Sequence, residues 1–322
     1  MGQSKNHQIM NILITGIHGF VGSNLVAALK DGNIIYGLDI VAPEKEGVVK
    51  TYSWDYLEQG KILEVDTIIH LAGKAHDTKN QTEAEVYFKV NTGLTQKIFD
   101  YFLAHEGIKK FVFFSTAKAA ADKVDGVLTE DVVPSPVGPY GESKIAAEKY
   151  IQEHPATDKR VYILRPCMIH GPGNKGNLNL LYNVVKKGIP WPLGAFDNRR
   201  TFTSIDNLSF VINGLLTRDV ASGIYNIGDD EALSTNELIE IICQSLGKKA
   251  HIWKLSKGFM TKMAKVCGKL HLPLDEERLR KLTENYISSN AKIKSALGIE
   301  TLPVAARDGL MKTLNSFKEE QR

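Results

Sequence analysis

The chain has 322 residues, of which 43% are hydrophobic and 24% charged, as in a globular protein with one large α/β domain or a domain and a smaller lobe. Its 40 basic and 37 acidic side chains leave a net charge of +3, which is too small to favour a nucleic-acid or membrane partner. No apolar run approaches the ~20 residues that a membrane span needs. The first ten residues are polar, unlike a secretory signal, and the three cysteines are scattered, so we expect a cytoplasmic protein with reduced thiols.

A glycine-rich turn follows the first predicted strand, residues 12–14. Gly16, Gly19 and Gly22 recur at a spacing of three, and a helix-like stretch over residues 23–30 comes next. A strand-to-helix turn without Cβ atoms lets backbone N–H groups approach a pyrophosphate, and the positive end of the helix dipole adds to the attraction. This variant of G-x-G-x-x-G therefore predicts a dinucleotide site.

Asp39 indicates which dinucleotide binds there. It ends the second predicted strand, residues 34–38, and lies 23 residues after Gly16. At about this spacing a carboxylate meets the ribose hydroxyls of NAD, whereas the 2′-phosphate of NADP would meet like charge. The next basic residue in the chain is Lys45. The sequence favours NAD as the cofactor, and NADP is the less favoured alternative.

Strand and helix signals alternate through the first half of the chain. Further strands are expected at residues 67–71, 111–114 and 161–164, with a weaker signal at 48–54, and helices at 83–105 and 141–154. Strands rich in Val, Ile and Phe without polar alternation are buried on both faces of a parallel sheet. The pattern predicts an α/β fold with a Rossmann-type, doubly wound parallel sheet.

After Arg165 the chain becomes richer in glycine and proline, which marks a change of organisation. Helices are expected at residues 177–187, 206–217 and 234–246, a strand at 223–227, and a mostly helical tail over 255–322. We expect residues 1–172 to form an NAD(P)-binding Rossmann domain, to which 201–227 return, and 173–322 to form a smaller, mostly helical substrate-binding lobe.

Tyr140 and Lys144 are four residues apart on a predicted helix, so they share one helical face. A phenol with an ordinary pKa of ~10 is a poor base at neutral pH, and a nearby ammonium favours the phenolate. The hydroxyl of Thr116, at the end of an apolar strand, could bond the same substrate oxygen. Together these groups suit proton transfer to or from an alcohol during hydride transfer. A Tyr-x-x-x-Lys pattern alone is more often an ordinary amphipathic helix, and the preceding glycine turn and Asp39 favour the catalytic interpretation.

The chain resembles the extended short-chain dehydrogenases/reductases, the NAD-dependent epimerase/dehydratase group that acts on nucleotide sugars. The motifs that carry the resemblance, in chain order, are Thr15-Gly16-Ile17-His18-Gly19-Phe20-Val21-Gly22, His70-Leu71-Ala72-Gly73, Phe113-Phe114-Ser115-Thr116, Tyr140-Gly141-Glu142-Ser143-Lys144, Leu164-Arg165-Pro166 and Gly171-Pro172-Gly173. They span most of the chain and are more specific for the family than for one reaction.

The resemblance implies a role for each matching residue. The catalytic residues would be Thr116, Tyr140 and Lys144. The cofactor-binding residues would be Gly16, His18, Gly19, Phe20, Val21, Gly22, Asp39, Leu71, Ala72, Gly73, Asn91, Ser115, Tyr140 and Lys144, although Asn91 could equally be an ordinary polar helix residue. The substrate would contact Thr116, Lys118, Asn177, Asn179 and Arg200, with Arg278 or Arg280 as a second arginine on the diphosphate. Helices 83–105 and 139–154 would form a homodimer contact.

The reaction is narrowed by Ala117-Lys118, because family members that eliminate water usually carry Asp-Glu after the catalytic threonine. The resemblance therefore favours a UDP-sugar 4-epimerase, of the UDP-glucose or UDP-N-acetylglucosamine type, over a 4,6-dehydratase. The first alternative is a 4-keto-reductase of a UDP-4-keto-6-deoxy-N-acetylhexosamine. Lys74-Ala75-His76, Lys118 and Lys175-Gly176-Asn177 resemble the branch that contains both UDP-N-acetylhexosamine 4-epimerases and the 4-keto-reductases of surface-polysaccharide synthesis. The second is a dinucleotide-sensing module without catalysis. No metal site is expected, since His70, His76 and His170 lack metal-ligand spacing.

Overall fold

A computed structural model describes residues 9–61, 63–75, 83–174, 176–269 and 275–319. In this part of the chain seven strands form a parallel sheet in the order β3-β2-β1-β4-β5-β6-β7. The strands are β1 (Asn11–Thr15), β2 (Ile34–Leu38), β3 (Lys50–Tyr52), β4 (Thr67–His70), β5 (Lys110–Phe114), β6 (Arg160–Pro166) and β7 (Gly223–Ile227). The strand order reverses between β1 and β4, which opens a crevice at their carboxyl ends. The predicted Rossmann-type, doubly wound fold is confirmed.

The sheet is apolar on both faces because its strands lie between two layers of helices. In β1, Ile12 and Ile14 pack into one hydrophobic cluster, whereas Leu13 packs into the other. In β5, Phe111 likewise faces the cluster of Leu13, and Val112 faces that of Ile12. Alternate residues therefore enter opposite cores, which explains why the strands read as continuous apolar runs without polar alternation.

Helices connect the strands and build the C-terminal part. They are α1 (Phe20–Leu29), α2 (Asp55–Glu58), α3 (Ala84–Tyr87), α4 (Leu94–Ala104), α5 (Ala117–Ala120), α6 (Pro139–Glu153), α7 (Asn177–Lys186), α8 (Ile205–Thr217), α9 (Thr235–Ser245), α10 (Lys257–Lys269), α11 (Glu276–Thr283), α12 (Ala291–Leu297) and α13 (Ala306–Glu319). Short strands lie at Val127–Leu128, Met168–His170, Arg199–Arg200, Phe202–Ser204, Leu233–Ser234 and Ile287–Ser288.

Two helices differ from the sequence expectation. The stretch expected as one helix over residues 83–105 is interrupted by a π-helix, Phe88–Gly93, between α3 and α4. Helix α6 begins at Pro139 rather than at Gly141, because proline suits the first helical turn and Gly138 turns the chain with a φ of +83°. The earlier start of α6 places Tyr140 in its first turn.

The later part of the chain contributes both to the sheet and to a separate apolar core. Strand β7 pairs with β6, and α8 packs with α1 against the same cluster as Ile12. Helices α7, α9, α10 and α13 enclose the second core, which includes Tyr182, Ile242 and Phe317. The boundary between the two domains, at residues 172 and 173, stays a prediction.

Candidate active site

The glycine turn brings the backbone of β1 against the chain that follows β4. Gly16 has a φ of +69°, and a Cβ atom there would lie 2.9 Å from the backbone N of Ala72. A Cβ at Gly22 would lie 2.6 Å from the carbonyl oxygen of Gly16. Helix α1 begins after Gly19, which has no side chain to cap it, so the first N–H groups of the helix stay open to an anion. The turn therefore fits a pyrophosphate.

Asp39 lies beside this turn at the carboxyl end of β2. Its Oδ2 accepts a hydrogen bond from the backbone N–H of His18 over 3.1 Å, and its Oδ1 accepts one from that of Ile40 over 2.8 Å. The carboxylate is half-buried and can still accept from ribose hydroxyls. Lys45, the next basic residue in the chain, donates to the hydroxyl of Ser23 in the first turn of α1 over 2.8 Å.

A buried relay of side chains, which the sequence analysis missed, holds the chain after β4. The Thr15 hydroxyl accepts hydrogen bonds from the backbone N–H groups of Leu71 and Ala72 and contacts Nδ1 of His70 over 2.7 Å. Nε2 of His70 contacts the Thr95 hydroxyl over 2.9 Å, and that hydroxyl donates to a backbone carbonyl. Burial lowers the pKa of His70 well below its usual 6.5, so the ring is neutral. Its role is to bridge the hydroxyls of Thr15 and Thr95.

Asn91 lies within the π-helix and joins three segments of the site. Its Oδ1 accepts from the backbone N–H of Lys74 over 2.7 Å, and its Nδ2 donates to the hydroxyl of Ser143 over 3.0 Å. A Cβ at Gly73 would lie 2.9 Å from Oδ1 of Asn91 and 3.2 Å from Nζ of Lys144. Single π-turns inside helices often occur at functional sites, because they re-aim one side chain. This geometry favours the positioning role of Asn91 over that of an ordinary polar helix residue.

Tyr140 and Thr116 meet at the carboxyl end of β5. Their side chains are hydrogen-bonded, and the ring of Tyr140 packs edge-on against that of Tyr87 with 6.2 Å between centroids. Burial raises the pKa of Tyr140, which the bond to Thr116 only partly offsets. From the sequence, Lys144 is expected to lower this pKa. In the protein alone burial has the larger effect, so the phenol stays protonated at neutral pH.

Lys144 lies one turn after Tyr140 and is almost fully buried. Its Nζ donates to the backbone carbonyl of Phe114 over 2.8 Å, directly before Ser115 and Thr116. Burial lowers the pKa of Lys144 from 10.5 to about 8, against the opposing attraction of Glu148. The ammonium lies at the carboxyl end of β5 and is charged at neutral pH. Because little water reaches this site, the electrostatic field of the ammonium is strong there.

We expect Lys144→Met to stabilise the cofactor-free protein at pH 7 by about 2 kcal/mol, because the substitution removes a buried charge. The pKa of Lys144 is about 8 when folded and 10.5 in its ordinary range, so between these values the unfolded state binds more protons. Wild-type stability should therefore rise with pH in this window. Urea unfolding of both proteins at pH 7 and pH 10 measures the effect. The prediction is contradicted if the gain is equally large at both pH values.

A buried ion pair lies next to Lys144 and Ser115. The carboxylate of Glu148, one turn after Lys144, is fully buried and accepts bonds from Arg165 on β6, the shortest being 2.6 Å from Nη2. The hydroxyl of Ser115 donates to the same carboxylate. The side chain of Ser115 thus points to the ion pair, and its assignment to the cofactor stays a prediction. The sequence motifs contained both charged residues without revealing that they pair.

The residues predicted to bind substrate lie on separate elements. Arg200 is half-buried, and its guanidinium donates to the carbonyls of Lys281 and Glu284 at the end of α11. Lys118 pairs with Asp122 at 2.6 Å within and just after α5. Asn177 takes the first position of α7, and Nδ2 of Asn179 donates to the Asn174 carbonyl over 2.7 Å. Arg278 and Arg280 lie in α11, where Arg280 pairs with Glu284 at 3.8 Å. Their contacts to substrate stay predictions.

Two other expectations concern metals and membranes. No group of three or more His, Cys, Asp or Glu that could hold a metal lies among the described residues, and His76 and Lys175 lie outside them. His170 is buried and bonded to the hydroxyl of Thr313 over 2.9 Å. All three cysteines are free thiols. In the part of the chain that the structure covers, no helix is both long and apolar enough to cross a membrane.

A doubly wound sheet, a glycine turn with an acidic strand end, and a Tyr-Thr-Lys cluster at the switch point together define a Rossmann-type oxidoreductase. The profile of the NAD dependent epimerase/dehydratase family matches residues 12–228. The chain belongs to that family and is an NAD-dependent enzyme of the extended short-chain dehydrogenase type. NAD is its cofactor.

Similar proteins act on several nucleotide sugars. UDP-glucose 4-epimerase from Vibrio cholerae is 31% identical over 265 residues, which cover 76% of this chain and 78% of that protein. dTDP-4-dehydro-6-deoxyglucose reductase from Escherichia coli is 26% identical over 266 residues, which cover 75% and 83%. The structure of UDP-glucuronic acid 4-epimerase from Bacillus cereus in complex with NAD superposes with a TM-score of 0.72 at 20% identity, covering 97% of this chain and 100% of that one.

Proposed function

We propose that the protein is a 4-epimerase of a UDP-sugar, of the UDP-glucose or UDP-N-acetylglucosamine type. The observation that carries the proposal is the hydrogen-bonded pair of Tyr140 and Thr116 beside the buried Lys144. The pair supplies one acid/base group, which suffices for chemistry at a single carbinol carbon. Thr116 is followed by Ala117 and Lys118, so an additional acid and base for elimination of water are missing at those positions.

The residues of this chain would move one proton. Tyr140 would first lose its phenolic proton to solvent, since burial keeps the phenol protonated in the protein alone. The resulting phenolate, which the ammonium of Lys144 on the same face of α6 favours, would then accept the proton of the C4 hydroxyl. Thr116 would hold the same oxygen by a hydrogen bond. NAD, when bound, supplies the acceptor and donor of hydride. Return of the proton by Tyr140 then completes an exchange that is redox-neutral for the sugar.

The alternative is a 4-keto-reductase, which uses the same three side chains once, as a proton donor. A stopped assay separates the two functions. The purified protein is incubated with UDP-N-acetylglucosamine or UDP-glucose and NAD, and separately with a UDP-4-keto-6-deoxy-N-acetylhexosamine and NADH. We expect the C4 epimer from the first mixture without net change in NADH. An alcohol formed only in the second mixture, with one NADH consumed for each, would identify the reductase instead.

Substitution of Arg200 tests whether this residue binds the diphosphate of a UDP-sugar. A planar guanidinium binds a diphosphate with paired hydrogen bonds, so we expect Arg200→Ala to raise KM for the UDP-sugar at least tenfold and to leave the Kd of NAD unchanged. Arg199→Ala is the matched control, because the neighbouring Arg199 instead bonds the carbonyl of Ala232 and approaches Glu237. Equal effects of Arg200→Ala on KM and on NAD binding would contradict a diphosphate role.

The cytoplasmic location and the homodimer through residues 83–105 and 139–154 rest on the cysteine usage and the family resemblance. Size-exclusion chromatography with light scattering measures the oligomeric state directly. Both stay predictions.

A further inference from the structure

The positive charge of the chain is concentrated in two segments. Residues 171–196 contain three lysines and residues 241–274 contain seven, and neither segment has an aspartate or glutamate. The whole chain carries only +3, so the remainder is net acidic. The small total charge that argued against a membrane partner therefore conceals a strongly uneven distribution.

The fold brings these two segments together. The backbone N–H of Trp191 donates to the carbonyl of His251, and that of Trp253 donates to the carbonyl of Trp191, each over 2.8 Å. Nζ of Lys248 reaches the carbonyl of Lys186 at the end of α7 over 2.7 Å. We name the resulting surface the lysine face. Its exposed basic side chains are Lys186, Lys187, Lys248, Lys249, His251 and Lys254.

Large apolar side chains are exposed among these cations. Trp253 is 54% exposed and Ile189 53%. Trp253 and His251 lie two residues apart on an extended segment and are exposed, whereas Ile252 between them packs into the second core. An exposed tryptophan and isoleucine surrounded by lysines form the mixture of residues that binds the boundary between headgroups and acyl chains.

A cavity of about 300 Å³ opens within this surface. Ile189, Trp191, Lys248, Lys249 and His251 are among its lining residues. The indole N–H of Trp191 is buried and has no hydrogen-bond partner among the described residues. The two lysines among the lining residues, Lys248 and Lys249, suit an oxygen-rich anion such as a phosphate.

We propose that the lysine face docks the protein on an anionic lipid membrane. Positive charge attracts anionic headgroups, with each lysine near the surface contributing about a fivefold gain in binding. Trp253 and Ile189 would enter the interface, and the cavity would take a headgroup phosphate. A second copy of this chain would bring lysines against lysines. RNA bases could stack on Trp253 but would leave the aliphatic Ile189 without an apolar partner. The proposal is independent of the reaction at Tyr140.

Flotation of the full chain with lipid vesicles tests the proposal. We expect binding to an equal mixture of phosphatidylcholine and phosphatidylglycerol but not to phosphatidylcholine alone. Binding should be lost near 1 M salt, where the Debye length falls to about 3 Å. Tryptophan emission should shift to the blue on the mixed vesicles, and Trp253→Phe should abolish most of that shift. Equal binding to both vesicle types, or no binding to either, would overturn the proposal.

A triple variant assigns the binding to this surface. Lys187→Gln/Lys249→Gln/Lys254→Gln removes three exposed charges that are distant from Tyr140 in sequence, and we expect it to weaken vesicle binding about a hundredfold with unchanged turnover. The control is Lys61→Gln/Lys109→Gln/Lys149→Gln, which neutralises three exposed lysines elsewhere. Equal loss in both triple variants would overturn the assignment. So would preferential binding of an RNA oligomer that displaces the vesicles, or self-association that the first triple variant alone removes.

Discussion

Replacing Tyr140 by phenylalanine is expected to lower kcat by about a thousandfold, within the range that one general acid/base contributes. The substitution removes only the hydroxyl that is bonded to Thr116. The ring contact with Tyr87, at 6.2 Å between centroids, is kept, so α6 should fold as before. Steady-state turnover of the UDP-sugar and the Kd of NAD are the two measurements. The Kd should stay within about threefold of the wild-type value, because the glycine turn and Asp39 are untouched.

Tyr150→Phe is the matched control on the same helix. The hydroxyl of Tyr150 donates to Asp100 over 2.6 Å on the exposed side of α6, away from Thr116. This variant should retain wild-type kcat and KM. If Tyr140→Phe retained turnover within a few-fold of wild type, another group would have to move the proton, and the proposed roles of Tyr140 and Lys144 would fall together.

The parts of the site that were predicted from sequence are those set by neighbouring residues. The glycine turn follows β1 directly, and its requirement for residues without Cβ is visible at Gly16 and Gly22, where an added atom would meet backbone within 3 Å. Tyr140 and Lys144 share a face because helical periodicity places them there. The late strand β7 was recognised from its own apolar pattern, although its partner β6 is about sixty residues earlier.

The parts that were not predicted depend on contacts between distant segments. Burial reverses the expected direction of the pKa shift of Tyr140, and no local pattern reports how deeply a residue is buried. Arg200 bonds the end of α11 more than eighty residues later in the chain. The π-helix around Asn91 was not predicted either, because the Asn91 side chain forms hydrogen bonds with Lys74 and Ser143, which are distant in sequence. Tertiary packing decides each of these features.

Arg165→Met is expected to destabilise the protein by about 3–5 kcal/mol, because it leaves the carboxylate of Glu148 buried without its cation. The pair is 2.6 Å apart, and both side chains are at most 2% exposed. Arg160→Met is the matched control, since Arg160 begins the same strand and pairs with Asp219 at 2.7 Å, but with side chains 46% and 84% exposed. An exposed pair contributes at most about 1 kcal/mol. Urea unfolding of both variants measures the difference.

The double variant Glu148→Gln/Arg165→Met separates the cost of an unpaired charge from the value of the pair. Once the carboxylate is neutral, most of the lost stability should return, because a buried amide requires only hydrogen bonds. Activity should not return to the same extent, since the carboxylate of Glu148 also holds the hydroxyl of Ser115. Ser115 lies between Phe114, whose carbonyl binds Lys144, and Thr116, the proposed partner of Tyr140. If the Arg165→Met variant were as stable as the Arg160→Met variant, the ion pair would not be what restrains this end of β6.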